Sequence, residues 1–70
     1  MLRRKARNRL SVLRAAIPLP QYALAAKARI APMRYWRIEH GYVLPTPDEC
    51  ARLAKALHVD VAALALPEVP

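Results

Sequence analysis

Residues 21–41 read QYALAAKARIAPMRYWRIEHG, and this stretch decides the fold. Gln21 to Ala28 is rich in good helix formers and buries Leu24 and Ala25 on one side. Pro32 then opens a second segment running to about His40. Proline suits a first helical position because its missing N–H is not needed there and its φ is already helical. Gly41 stands where a left-handed residue closes a helix. On the second segment Tyr35 and Ile38 point inward, while Met33, Trp36 and Arg37 share the opposite face at i, i+3, i+4. Outward Trp, Met and Arg on one face call for a partner.

Working outward, the prolines at 18, 20, 45, 47 and 67 set the other boundaries. From Leu2 to about Ile17 the apolar residues Leu2, Ala6, Leu10, Leu13 and Ile17 recur every three or four positions on an otherwise cationic helix. Thr46-Pro47-Asp48-Glu49 predicts a capping box with proline at the first turn, opening a helix over 47–57. Cys50, Leu53, Ala54 and Leu57 lie on its buried stripe. Asp60 can cap a last short helix over 61–66 before Pro67. Ile and Val are scattered and never alternate over a strand length, so the chain reads as all-helical. Five short helices with short connections predict one compact domain over residues 1–66, with 67–70 as a short tail.

The composition narrows the function. With 70 residues there is room for one small core, expected to supply only about 3–5 kcal/mol. The net charge of +7 is a polarity: residues 1–38 carry ten basic side chains and no acid, whereas 39–70 balance Arg52 and Lys55 against five acids. A basic half attracts polyanions, nucleic acid foremost and anionic membrane second. No apolar run approaches the roughly 20 residues that span a bilayer. Cys50 has no partner for an internal disulfide and reads as a small hydrophobe. Cys50 with His40 and His58 has no zinc-ligand spacing, and neither metal nor cofactor is expected. His58 reads as interacting with a helix carbonyl end, His40 as exposed. Without a Ser-His-Asp set, paired carboxylates or a Gly-rich phosphate loop, the chain does not read as an enzyme.

The pattern Gln21-x-x-Leu24-Ala25, Ile30, Tyr35-x-x-Ile38-Glu39-x-Gly41, Pro45, then Leu53-Ala54-Lys55-Ala56-Leu57-x-Val59 with Leu64 resembles the Cro and phage-repressor type of helix-turn-helix domain, the XRE family. The resemblance covers about Arg14 to Leu64 and implies a lambda-repressor-like all-α domain that binds double-stranded DNA, and one reading helix per chain then calls for a homodimer. Independently, two short helices joined by a three-residue turn have the lengths of a unit whose second helix fits a major groove about 12 Å wide.

The resemblance implies base contacts from Pro32, Met33, Trp36 and Arg37. It implies phosphate contacts from Arg34, Tyr42 and the helix start at Thr46, with Gln21 either touching phosphate or bracing the third helix. Arg14 and Glu39 match a buried salt bridge between the first and third helices. The last helix, through Val61, Leu64 and Leu66, is the surface available for pairing. A bacterial or phage transcriptional regulator of this kind would act in the cytoplasm.

The chain departs from the pattern at three positions. A glycine is usual in the family where Arg29 stands, so the turn should be either strained or reshaped. Ser or Thr caps are usual near positions 20 and 31, where this chain has Pro20 and Ala31.

Other readings stay open from the residues alone. Trp36 either closes over the second helix as a peripheral core residue or meets DNA. The Arg-rich run from Leu2 to Leu10 fits a DNA arm, a solvated cationic face, a transit peptide or a membrane-surface helix. The whole domain could instead be an adaptor binding a polymerase, toxin or phage-assembly protein through Met33, Trp36 and Arg37.

Overall fold

A computed structural model describes residues 9–64. It contains α1 (Leu10–Ala16), α2 (Gln21–Lys27), α3 (Pro32–Glu39), α4 (Pro47–Leu57) and one 3-10 turn, Val61–Leu64. The fold is all-helical over these residues, with four helices and a terminal turn in place of the five helices expected. Residues 61–64 manage only a 3-10 turn, in which the Ala63 N–H bonds to the Asp60 carbonyl. Among the described residues no helix is long and apolar enough to cross a membrane.

The first helix also differs from expectation. Arg9 is its N-cap, with φ −104° and no side-chain cap, and Ile17 lies beyond its end and is largely exposed. Ile17 therefore drops out of the predicted apolar stripe. Leu2, Ala6 and most of the Arg-rich run lie outside the described residues, as do Leu66 and the 67–70 tail.

The core gathers one or more residues from every element: Leu10 of α1, Leu24 and Ala25 of α2, Tyr35 and Ile38 of α3, Leu53, Ala54 and Leu57 of α4, and Leu64 of the terminal turn. Ile30, in the turn between α2 and α3, joins them. Cys50 packs half-buried against this cluster, where burial pushes its thiol above the usual range. Leu64 is fully buried, and its carbonyl accepts the Arg9 N–H at 3.1 Å. The expectation that Leu64 offers a pairing surface is therefore corrected: it ties the end of the described chain to the start of α1.

Three of the four helices end alike. The amide of the left-handed residue bonds back to the third residue before it, and the next amide to the fifth before that. These are Arg29 to Ala26 with Ile30 to Ala25, Gly41 to Ile38 with Tyr42 to Arg37, and His58 to Lys55 with Val59 to Ala54. Each set forms a Schellman motif, which satisfies carbonyls that a helix end otherwise leaves without partners. The left-handed residues have φ of 58°, 82° and 59°, and only Gly41 lacks the Cβ that makes this region costly. The turn at Arg29 thus keeps the left-handed shape and carries the strain.

Candidate functional site

The site is built on α3, and its position is set at both ends by carboxylates. At the carboxyl end, Glu39 accepts hydrogen bonds from Arg14 Nε at 3.0 Å, Arg14 Nη2 at 3.1 Å, Gln21 Nε2 at 2.9 Å and the Tyr35 hydroxyl. Arg14 also donates through Nη1 to the Leu19 carbonyl at 3.0 Å. One carboxylate therefore joins α1, α2 and α3. Burial opposes ionisation of Glu39, but the hydrogen bonds from Arg14, Tyr35 and Gln21 outweigh it and hold the carboxyl below its usual range. Burial, with the bond to Glu39, pushes the Tyr35 phenol the other way.

Toward its amino end α3 is held by Arg34, whose Nε and Nη2 reach Glu49 at 2.6 and 2.8 Å. Glu49 simultaneously closes the capping box: its Oε1 accepts the Thr46 N–H at 2.9 Å, and the Thr46 hydroxyl accepts the Glu49 N–H at 3.1 Å. The Arg34 bonds, helped by the Thr46 N–H against some burial, lower the Glu49 carboxyl to about 2.

This geometry revises two of the expected phosphate contacts. Arg34 presents a two-pronged face to Glu49 and positions α3 on α4, which leaves less of its guanidinium for a phosphate. The capping box engages the Thr46 and Glu49 amides, and Pro47 has none, so the α4 start offers little to a phosphate. The amide of Gln21 braces α3 through Glu39, which is one of the two roles expected for it.

The outer face of α3 is exposed: Met33 is 60% accessible and Trp36 40%. Arg37 is exposed beside them and forms no ion pair among the described residues. Trp36 stacks on His40 with centroids 4.0 Å apart and on Tyr42 at 5.8 Å. Both ring contacts lie along its own helix end. Gln21, Tyr22, Pro32, Met33 and Trp36 line one concavity of about 550 Å³. Tyr22, the residue after Gln21, was missed by sequence reasoning, as was His40 under Trp36. The i, i+4 spacing of Trp36 and His40 was the available signal for the stack.

The α2–α3 turn that aims this face is clamped from α4. Arg52 Nη1 donates to the Ala28 carbonyl at 3.0 Å and the Arg29 carbonyl at 2.9 Å. Arg52 Nε lies 3.1 Å from Asp48 Oδ2, close enough for charge attraction but poorly directed for a hydrogen bond. Nearby, Lys27, Arg29, Lys55 and His58 surround a second cleft between the carboxyl ends of α2 and α4. Cations there offset the partial negative charge of both helix ends.

A family model described as helix-turn-helix matches residues 13–64. The chain is a member of the helix-turn-helix family. The match runs from α1 through the terminal turn, with α2 and α3 as the two helices of the motif. Among solved structures, the crystal structure of the restriction-modification controller protein C.AhdI from Aeromonas hydrophila is similar. It shares 27% identity over 79% of this chain and 83% of that one, with a TM-score of 0.76. No curated protein matches the chain significantly in sequence. Helix-turn-helix domains place their second motif helix in the DNA major groove, which in this chain is α3.

Proposed function

We infer that this helix-turn-helix protein regulates transcription by binding a specific double-stranded DNA sequence, with α3 in the major groove. The observation that carries the reading is the outer face of α3, where Met33, Trp36 and Arg37 are exposed on a helix fixed to α1, α2 and α4 by two carboxylates. A reading helix must be held rigidly, because base edges discriminate only when contacts are aligned.

Arg37 pairs with a guanine through O6 and N7, while Pro32, Met33 and Trp36 make apolar base contacts. Tyr42, where the chain leaves α3, contacts backbone phosphate, with Arg34 as a secondary contact. These phosphate contacts orient the domain, and the base contacts specify sequence.

One reading helix per chain calls for a homodimer on a two-fold operator, with half-sites about 34 Å or a multiple apart. Val61, exposed on the terminal turn, is the described residue left for pairing. The protein acts in the cytoplasm of a bacterial or phage-infected cell, where such an operator is found.

Selection of bound sequences from a random DNA pool tests the reading. The expected result is a palindromic motif, with log K falling steeply against log salt concentration. Recovery of no motif, with a flat salt dependence, would favour a protein-binding adaptor instead.

A further inference from the structure

We propose that the concavity lined by Tyr22, Pro32, Met33 and Trp36 reads pyrimidine C5-methyl groups, so that the protein accepts thymine or 5-methylcytosine, and disfavours cytosine, at the bases it covers. The inference rests on the DNA-binding reading above and names what that surface recognises.

The major-groove edges of the bases leave few alternatives. Adenine and guanine present N7 with N6–H or O6, cytosine presents a donor at N4, and thymine adds a methyl group. A surface that reads purines needs converging donors and acceptors, and this one has few. Pro32 and Met33 bring no donor. The Gln21 amide nitrogen commits one of its two N–H groups to Glu39 Oε2 at 2.9 Å, so the side-chain donors left along the wall are its second N–H, the Tyr22 hydroxyl and the Trp36 indole N–H. What the concavity does present is apolar surface: Tyr22 is 72% exposed, and Met33 and Trp36 are more exposed than large apolar side chains usually are. Its volume of about 550 Å³ exceeds one methyl group, so it spans adjacent base edges.

The wall is also rigid before any ligand arrives. Trp36 stacks on His40 and on Tyr42, and the His40 ring nitrogen Nδ1 lies 2.9 Å from the Trp36 carbonyl. Ordering this side chain on binding therefore costs little, which favours an apolar contact as small as a methyl. Arg37 on the same face supplies the polar contact that fixes register.

The test uses the full chain and the duplex recovered by selection. Each thymine is replaced in turn by deoxyuracil, which removes only the C5-methyl group. Affinity should fall about fourfold at each position under the concavity and stay unchanged elsewhere, the value of one buried methyl. Cytosine at those positions should bind worse than thymine, and 5-methylcytosine should recover about fourfold over cytosine. Met33→Ala and Trp36→Ala should shrink the thymine-to-deoxyuracil difference toward one. Met33→Ala suffices should Trp36→Ala fail to fold, because Met33 is mostly exposed.

A duplex that binds tightly yet tolerates deoxyuracil at every position would overturn the proposal and leave the DNA-binding reading standing. A penalty undiminished in both variants would do the same, since the methyl would then be read elsewhere. A protein that prefers no duplex over mixed-sequence DNA would fail the underlying reading, and the proposal with it.

Discussion

The two ends of α3 are held by the same chemistry in different surroundings. At the carboxyl end Glu39 joins three helices, its partner Arg14 is only 20% exposed, and it meets a glycine turn at Gly41. Toward the amino end Glu49 joins two helices, its partner Arg34 is 38% exposed, and the turn leading in carries an arginine at φ 58°. The carboxyl end therefore carries the stronger tie and the amino end the weaker one. Losing the weaker tie should loosen the aim of the reading surface without unfolding the domain.

Removing Glu39 should therefore break the molecule. Glu39→Ala removes the carboxylate to which Arg14, Tyr35 and Gln21 all donate, and leaves the part-buried Arg14 guanidinium with the Leu19 carbonyl but no counter-charge. Losing one partner of such a pair costs about 3–5 kcal/mol, comparable to the whole stability expected of a core this size. Circular dichroism at 25 °C should show largely unfolded chain. A cooperative melt close to that of the unmodified protein would mean the two ends of α3 are equivalent after all.

Glu49→Ala should weaken the molecule without unfolding it. The capping box contributes about 1 kcal/mol and a half-exposed ion pair about another 1. A denaturant melt should show a loss of about 2 kcal/mol, well below that of Glu39→Ala. Equal losses would remove the distinction between the ends.

Acid should act on both ends with the same sign. Both carboxyls are depressed in the folded protein, so their contribution is complete above the unfolded value near 4.5 and disappears as pH falls through the folded value. For Glu49 that window runs from 4.5 to about 2. The full difference corresponds to roughly 3 kcal/mol, which solvent screening at the exposed Arg34 reduces to about 1–2. Stability should be level from pH 7 to about 5 and then decline, and Glu49→Gln should flatten part of that decline. An unchanged acid limb in Glu49→Gln would place the acid sensitivity entirely at Glu39.

How much of this was legible in the sequence follows the same division. Helix boundaries set by proline and by the Thr46 capping box were readable because the cause is local: a missing N–H, or a side chain three residues from its partner. The Arg14–Glu39 contact, 25 residues apart, was reachable only through the family pattern. The Arg34–Glu49 pair was hidden because each residue already had a plausible local role, one as a phosphate contact and the other as a cap. Arg52 on the Ala28 and Arg29 carbonyls was hidden because backbone acceptors leave no mark in composition. Leu64 looked like a pairing surface on a helix that turned out to be a single 3-10 turn folded into the core. Tyr22 escaped notice because its significance lies in what α3 places beside it.

The smallest expected effect concerns the entrance to α3. A residue with a Cβ in the left-handed region costs about 1–2 kcal/mol relative to glycine, and glycine returns part of that through greater freedom of the unfolded chain. Arg29→Gly should therefore stabilise by about 0.5–1 kcal/mol, raising the melting temperature by roughly 2–8 °C for a domain of this size. The bonds that shape the turn are all to backbone atoms, namely Arg29 N–H to the Ala26 carbonyl, Ile30 N–H to the Ala25 carbonyl, and Arg52 to the Ala28 and Arg29 carbonyls. None is lost with the side chain. His58→Gly provides the internal control, because His58 occupies the same position of the same motif at the end of α4, away from the reading helix. Equal gains at the two positions would show that the strain at Arg29 is ordinary helix-end strain. A loss at Arg29 beside a gain at His58 would show that the Arg29 side chain itself holds the turn, and so helps to set the amino end of α3.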